Sequence, residues 1–288
     1  MNAIFKREFR SYFNSMTGPV VTAVLLCFGG IYFMAYNLGQ GYPYFSYTLL
    51  SMRMVLLIAV PVLTMRSMAE ERHSKTDQLW LTAPISVGKV ICGKFFAMAA
   101  VLGVPLLALC TCPLVIAMNG QSYLLADYSS LLAFFLLGCV YIAVGMLLSS
   151  LTESQVISAI STFGVLLLLY LWDDLLNFLP SSAVGSLVGF AVLLVLLCLL
   201  AHGLFHNWIV TLILGAAGAI ALVIGYLLKP AAFAGLLAEV LGKFSLGTVI
   251  TNFAYSHVFD LRGLLLYLSL TALLLFLTVQ VVQKRRWS

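Results

Sequence analysis

The stretch that most resembles a piece of chemistry is Gly88-Lys89-Val90-Ile91-Cys92-Gly93-Lys94-Phe95. It fits G-x-x-x-x-G-K, the opening of a phosphate-binding loop whose backbone N–H groups and lysine cradle phosphates. Phe95 stands where the Ser or Thr that holds magnesium belongs, and an apolar run follows it. With no preceding strand, the match reads as chance: the glycines allow close helix packing and the lysines mark a membrane interface. Asp173 and Asp174 are adjacent, so on a helix they point about 100° apart and cannot share a proton as a catalytic dyad. They read as a pair at the outer interface. Cys198, His202 and His206 follow i, i+4, i+8 spacing and would line up metal-ligating types on one helix face. Gly203 and an expected turn at 202–207 interrupt that face, and no acidic residue accompanies it. The reading assigns no catalytic residue and no metal site.

Arg53 is the strongest functional candidate inside an apolar run. It lies six residues in from Tyr47, roughly 9 Å along a helix axis. A charge inside a membrane is costly, so it faces a cavity or a partner, or snorkels to the surface. Asp173 or Asp174, at a similar outer depth, is a candidate partner, and the three together are candidate path or gate residues.

These residues must be held by membrane helices. The 288 residues are 62% hydrophobic and only 9% charged, and the mean hydropathy is +1.08. A soluble domain carries about 25% charged residues. The composition excludes a soluble enzyme, a disordered chain and a secreted disulfide scaffold. Nucleic acid is not an expected partner, because the net charge of +5 comes from cations placed at the ends of apolar runs. The six cysteines, Cys27, Cys92, Cys110, Cys112, Cys139 and Cys198, all lie in or beside apolar stretches and read as small hydrophobes.

A spanning helix needs about 20 mainly apolar residues. Eight runs qualify: 18–38, 47–66, 91–118, 129–151, 156–179, 183–203, 208–228 and 262–282. The long third run is expected to bend at Pro105 or Pro113, or to extend beyond the membrane. The pair within 183–228 is separated by a short turn, and a re-entrant hairpin there would leave six spans. With the N-terminus inside, eleven Lys and Arg residues fall on the cytoplasmic side and three on the outer side. That asymmetry predicts that both termini are cytoplasmic. The fold class is an all-α polytopic membrane bundle, a single domain over 1–288.

Three segments lie outside the spans. In residues 4–16, Phe5, Phe9, Tyr12, Phe13 and Met16 fall on one helical face, with Lys6, Arg7 and Arg10 mainly off it. This predicts an interfacial amphipathic helix whose cations favour anionic lipid in the bilayer. Residues 67–90 are the charge-dense stretch. Ser74 with Asp77 resembles a capping box for a short helix reaching about Thr82, which Pro84 blocks. Such a helix would offer Leu79, Trp80 and Leu81 to a partner. In the outer segment 229–261, Phe233, Leu236, Leu237, Val240, Leu241 and Phe244 predict a second amphipathic helix.

Four stretches carry a family resemblance. FKREFRSYFNSMTG at 5–18 resembles an elbow helix. Met65-Arg66-Ser67-Met68-Ala69-Glu70-Glu71-Arg72 through Thr82-Ala83-Pro84-Ile85-Ser86 resembles a first cytoplasmic loop. Ser149-Ser150-Leu151-Thr152-Glu153-Ser154-Gln155-Val156-Ile157 resembles a second inner turn, and Asp260-Leu261-Arg262 through Lys284-Arg285-Arg286-Trp287 a last span. The chain resembles a permease subunit of a type-2 ABC transporter, from the gliding-motility-associated branch. The resemblance implies the membrane subunit of an ATP-driven exporter, forming the translocation path in a bacterial cell membrane. It implies no enzyme activity and no cofactor of its own, ATP and magnesium being bound by a separate ATPase subunit. It also implies a second permease copy or paralogue, with room for an additional membrane protein bearing an outer domain. Residues 1–17 would be the elbow helix and 67–90 the coupling loop, with Glu70, Glu71, Thr76, Leu79, Trp80 and Pro84 facing the ATPase. The family usually has Gly where this chain has Lys75, Glu where it has Gln78, and Asn where it has Ser154. The competing expectation is a membrane anchor or assembly subunit for an ATPase complex that moves no substrate.

Overall fold

The computed structural model describes residues 2–77, 86–120, 123–180, 182–205, 215–216, 222, 233, 235–256 and 259–287. Among these residues the regular structure is helical throughout. The contacts divide the chain into two compact units, 1–170 with 246–288, and 171–245.

The first unit begins with α1 (Asn2–Asn14) and α2 (Thr17–Phe33), the latter prolonged by a π-helical turn over Met34–Gly39. Then come α3 (Ser46–Thr64), α4 (Ala69–His73), α5 (Val87–Leu109), α6 (Cys112–Asn119), α7 (Leu124–Leu151) and α8 (Gln155–Tyr170). Of the helices that follow residue 170, α12 (Gly247–Thr251), its π-helical extension Asn252–Ser256 and the long α13 (Leu261–Trp287) belong to this unit. Helix α7 is its axis and packs against α3, α5, α8 and α13, while α2 lies on α3 and α1 on α5. Tyr141, Phe134, Leu137 and Ile142 of α7 are fully or almost fully buried with Leu56 and Leu63 of α3 and Met98 of α5. Lipid tails are as apolar as these side chains, so close packing rather than water exclusion holds such helices together. A Cβ at Gly145 would meet Thr64 Oγ1 at 2.3 Å, and one at Gly138 would meet Leu102 Cδ2 at the same distance. Both glycines let α7 approach its neighbours at backbone range.

Among the described residues, five helices are long and apolar enough to cross a membrane: 17–39, 46–73, 87–118, 124–151 and 261–284. They coincide with the first four and the last of the expected runs. In the third run the helix breaks at Cys110–Thr111, and Pro113 opens the next helix. Pro113 lacks an N–H, and its ring would clash with the Leu109 carbonyl in a continuous helix. Pro105 lies inside α5 without ending it.

The expected run 156–179 differs. Helix α8 stops at Tyr170 after 16 residues, about 24 Å against a hydrocarbon core of about 30 Å. Apolar composition continues past that point, so sequence alone joins what the backbone separates. The run 208–228 lies outside the described residues apart from 215, 216 and 222.

The second unit contains α9 (Trp172–Asn177), α10 (Ala183–Phe205) and α11 (Leu236–Gly242). Helix α11 packs on both others. Trp172 donates its indole N–H to the Leu241 carbonyl at 3.1 Å, and a Cβ at Gly189 would meet Leu237 at 2.1 Å. The single amphipathic helix expected from Phe233 to Phe244 is corrected to seven residues. Gly235 has φ +73°, a left-handed conformation that starts the helix after Phe233, and Gly242 ends it before Phe244.

Candidate functional site

The most heavily cross-linked part of the first unit is the end where α3 leaves, α5 enters and α7 turns into α8. Helix α4 is only five residues long, too short to stand alone. Its stability comes from neighbours. Ser149, buried near the end of α7, accepts hydrogen bonds from the Met68 and Ala69 N–H groups at 3.2 and 3.1 Å. It thus satisfies N–H groups at the start of α4 that have no partner within that helix. In return Arg72, near the end of α4, donates to the Leu151 carbonyl at 3.1 Å and pairs with Glu153 at 2.9 Å. A cation here suits the negative end of α7. Each helix therefore caps the other.

A buried ion pair reinforces this junction. Lys94 of α5 is 3% exposed. Its ammonium donates to the Ser67 carbonyl at 2.7 Å and meets Glu71 Oε1 at 2.7 Å. Arg7 of α1 approaches the same Glu71 oxygen at 3.7 Å while holding Glu8 at 2.6 Å. The hydrogen bond that Arg7 donates to Glu8 is the first reason its guanidinium pKa is raised above the ordinary value, with the Glu8 and Glu71 charges adding to it. Tyr12 is buried nearby, and burial first, then Glu8, Glu71 and Glu70, push its hydroxyl well above the ordinary tyrosine value. It is neutral under any physiological condition.

Beyond α4 the chain makes a tight turn. The Lys75 N–H donates to the Arg72 carbonyl, and the Thr76 N–H donates to the Glu71 carbonyl at 2.9 Å. This is the paired-bond helix stop that normally places glycine in the left-handed position. Lys75 occupies it with φ 56°. The chain keeps the turn even where it lacks the glycine that the resemblance led one to expect. Ser74 is not the start of a helix, as the capping-box reading proposed. Its hydroxyl donates back to the Glu70 carbonyl at 2.8 Å, so it closes α4, and helical structure resumes at Asp77.

Of the expected coupling residues, Glu71 turns inward onto Lys94. Glu70 and Thr76 are exposed, Glu70 lying 4.0 Å from Arg66. Leu79, Trp80 and Pro84 lie outside the described residues, as does Gln78. Lys94 is the residue that sequence reasoning missed. It was counted as an interface lysine in the phosphate-loop look-alike, which the structure shows as part of helix α5. Its signal was apolar neighbours on every side, from Val90 to Ala97. Ser149 and Glu153 were visible only as part of the second inner turn, and the structure brings that turn against the first loop.

The opposite end is built from aromatic rings and buried amides. Asn37 donates to the Tyr42 and Tyr44 carbonyls, both at 2.9 Å, and accepts from Thr48 at 2.8 Å. Asp127 of α7, fully buried, accepts from the Phe45 N–H at 2.8 Å and so caps α3 from another helix. Tyr44 stacks on Tyr123 at 4.6 Å, Tyr42 meets Tyr47 at 5.2 Å and Tyr47 meets Tyr255 at 5.7 Å. Tyrosines gather in this way at membrane–water interfaces, where one end of the ring is wet and the other dry. Arg53 lies two turns into α3 and is 7% exposed. It did not snorkel. Its guanidinium sits over the Tyr170 ring at 5.1 Å, and Nη1 reaches the Gly247 carbonyl at 3.5 Å. Nε has no partner among the described residues. Asp173 and Asp174 stand in the first turn of the separate helix α9, in the other unit, and not at the end of a continuous span. Cys198 is half-buried in α10; the His202 side chain and all of His206 lie outside the described residues.

The family model described as ABC-2 family transporter protein matches residues 4–186. The chain belongs to the ABC-2 transporter family. The matched region holds α1, the braced loop and Arg53, and it makes this chain a multi-pass membrane subunit of a transport system. The family's membrane subunit is not itself a catalyst. No curated protein sequence matches the chain significantly.

Proposed function

We propose that this ABC-2 family chain is the permease subunit of an ATP-driven exporter of the gliding-motility-associated branch, in a bacterial plasma membrane with both termini cytoplasmic. Two permeases, identical or paralogous, pair with a separate ATPase that binds ATP and magnesium. The observation that carries the reading is the junction around Glu71 and Lys94. It ties the 65–77 loop to α1, α5 and α7 at once through Arg7, Lys94 and Ser149. A force applied to that loop moves α1 and the two membrane helices α5 and α7 together, as a coupling element requires. Switching a gate from 1:99 to 99:1 takes about 5.5 kcal/mol of differential stabilisation, and charge-assisted contacts in a buried setting can transmit it. Arg53, held by a ring and a long hydrogen bond, then changes partners as α3 shifts.

The test replaces Leu79 and Trp80 together by glutamate. The expected result is a protein that inserts and unfolds at the same temperature as the parent but no longer co-purifies with an ATP-binding subunit and shows no ATP-stimulated transport. Retention of the ATPase with unchanged transport overturns the proposal.

A further inference from the structure

A second feature of α1 has no part in that junction. On the side away from Glu71, an apolar groove of about 590 Å³ runs between α1, α5 and α7. Phe5 and Phe9 form one wall, Gly103 and Leu107 of α5 the floor, and Leu132 and Phe135 of α7 the other wall. Its lining on α5 extends from Ala99 to Cys110, about 16 Å of helix. One leaflet of hydrocarbon is about 15 Å deep. Leu107 and Leu132 are 73% and 46% exposed, so the groove opens sideways.

Around the helix from these phenylalanines lies a basic recess, lined by Ala3, Lys6, Arg7, Arg10, Ser11 and Asn14. Arg7 is engaged by Glu8 and Glu71. Lys6 and Arg10 are exposed and have no carboxylate within ion-pair reach among the described residues. On a helical projection Lys6 directly borders the Phe9–Phe13 face, and Arg10 follows it.

We propose that this is a discrete site for one anionic phospholipid, with an acyl chain in the groove and the phosphate headgroup held by Lys6 and Arg10. The groove is as long as a chain crossing one leaflet, and the two unpaired cations on the adjoining face of α1 supply the charge that an anionic headgroup needs. A second copy packed α1 against α1 would instead have to cover both cations with carboxylates, and the one carboxylate on α1, Glu8, is held by Arg7. The site fixes the position of α1, and through Arg7 it touches the loop junction without depending on the coupling proposal.

The test is native mass spectrometry of the full chain purified in mild detergent from membranes containing phosphatidylglycerol and phosphatidylethanolamine. A Cβ on Gly103 would meet only Phe135, at 3.8 Å, so Gly103→Phe fills the groove without a backbone clash. The parent is expected to retain one phosphatidylglycerol per chain, enriched about tenfold or more over phosphatidylethanolamine by two basic side chains. Lys6→Gln with Arg10→Gln should keep a bound lipid but lose the headgroup preference. Gly103→Phe should lose the lipid, and Val104→Phe repeats that measurement should the first variant fail to fold. Equal retention of both lipids by the parent overturns the proposal. So does full phosphatidylglycerol occupancy in folded Gly103→Phe, or a dimer of this chain that Gly103→Phe dissociates while lipid content stays constant. These readouts concern lipid alone, so they stand or fall separately from ATPase binding.

Discussion

The two ends of the first unit each contain a buried cation, and they treat it differently. Lys94 has a carboxylate and a carbonyl at 2.7 Å each, two close acceptors for its three N–H donors. Arg53 has a ring face, one bond at 3.5 Å and an unpartnered Nε. A buried charge is held firmly only when its partners are close and its hydrogen bonds are made. Lys94 is therefore a strut that fixes the loop to the helices. Arg53 is held loosely, by a ring face and one long hydrogen bond.

This contrast can be broken experimentally, most severely at Glu71. Glu71→Leu leaves Lys94 buried without its carboxylate and should cost about 3–5 kcal/mol, read as a large drop in unfolding temperature in detergent. Lys94→Met should cost less, because Glu71 keeps Arg7, and combining the two changes should recover much of the loss. Equal losses in both single variants would contradict the strut.

At the tyrosine end the largest effect is expected from Asp127. Asp127→Ala removes the cap on α3 and should cost about 1–2 kcal/mol, measurable by thermal unfolding and by faster amide exchange at Phe45. A smaller change of opposite sign is expected at the turn. Lys75→Gly relieves a left-handed residue and should stabilise by about 0.5–1 kcal/mol, seen as a small rise in unfolding temperature.

The smallest effect on stability belongs to Arg53. Arg53→Met keeps the volume and removes a poorly satisfied charge, so stability should change by under about 1 kcal/mol, while transport by the assembled complex falls. A stability loss equal to that of Glu71→Leu would erase the distinction between the two ends.

The same contrast explains what was legible beforehand. The first helix was readable because the phenylalanines repeat at helical spacing: Phe5 stacks on Phe9, and Phe9 meets Phe13 at 5.0 Å. The break in the third run was readable because Pro113 encodes it. The break after Tyr170 was not, because no proline or glycine marks it and Leu171 and Trp172 carry the apolar run on to Asp173. The outer amphipathic stripe misled because Gly235 and Gly242 interrupt the helix inside a periodic pattern. Arg53 was found because a lone charge in an apolar run is conspicuous. Lys94 was overlooked because its partner lies 23 positions away, across the loop.

By itself, the sequence determined the all-helical membrane class, four of the spans from the N-terminal end and the last one, and the amphipathic first helix. Those properties follow from local composition and periodicity, which act over a few turns. Only the tertiary structure decided which charges face each other. The pairing of Glu71 with Lys94, the mutual capping by Ser149 and Arg72, and the seat of Arg53 over Tyr170 join residues far apart in sequence. Low polarity in the bundle makes an unpartnered polar group costly, and helix packing determines which partner is within reach.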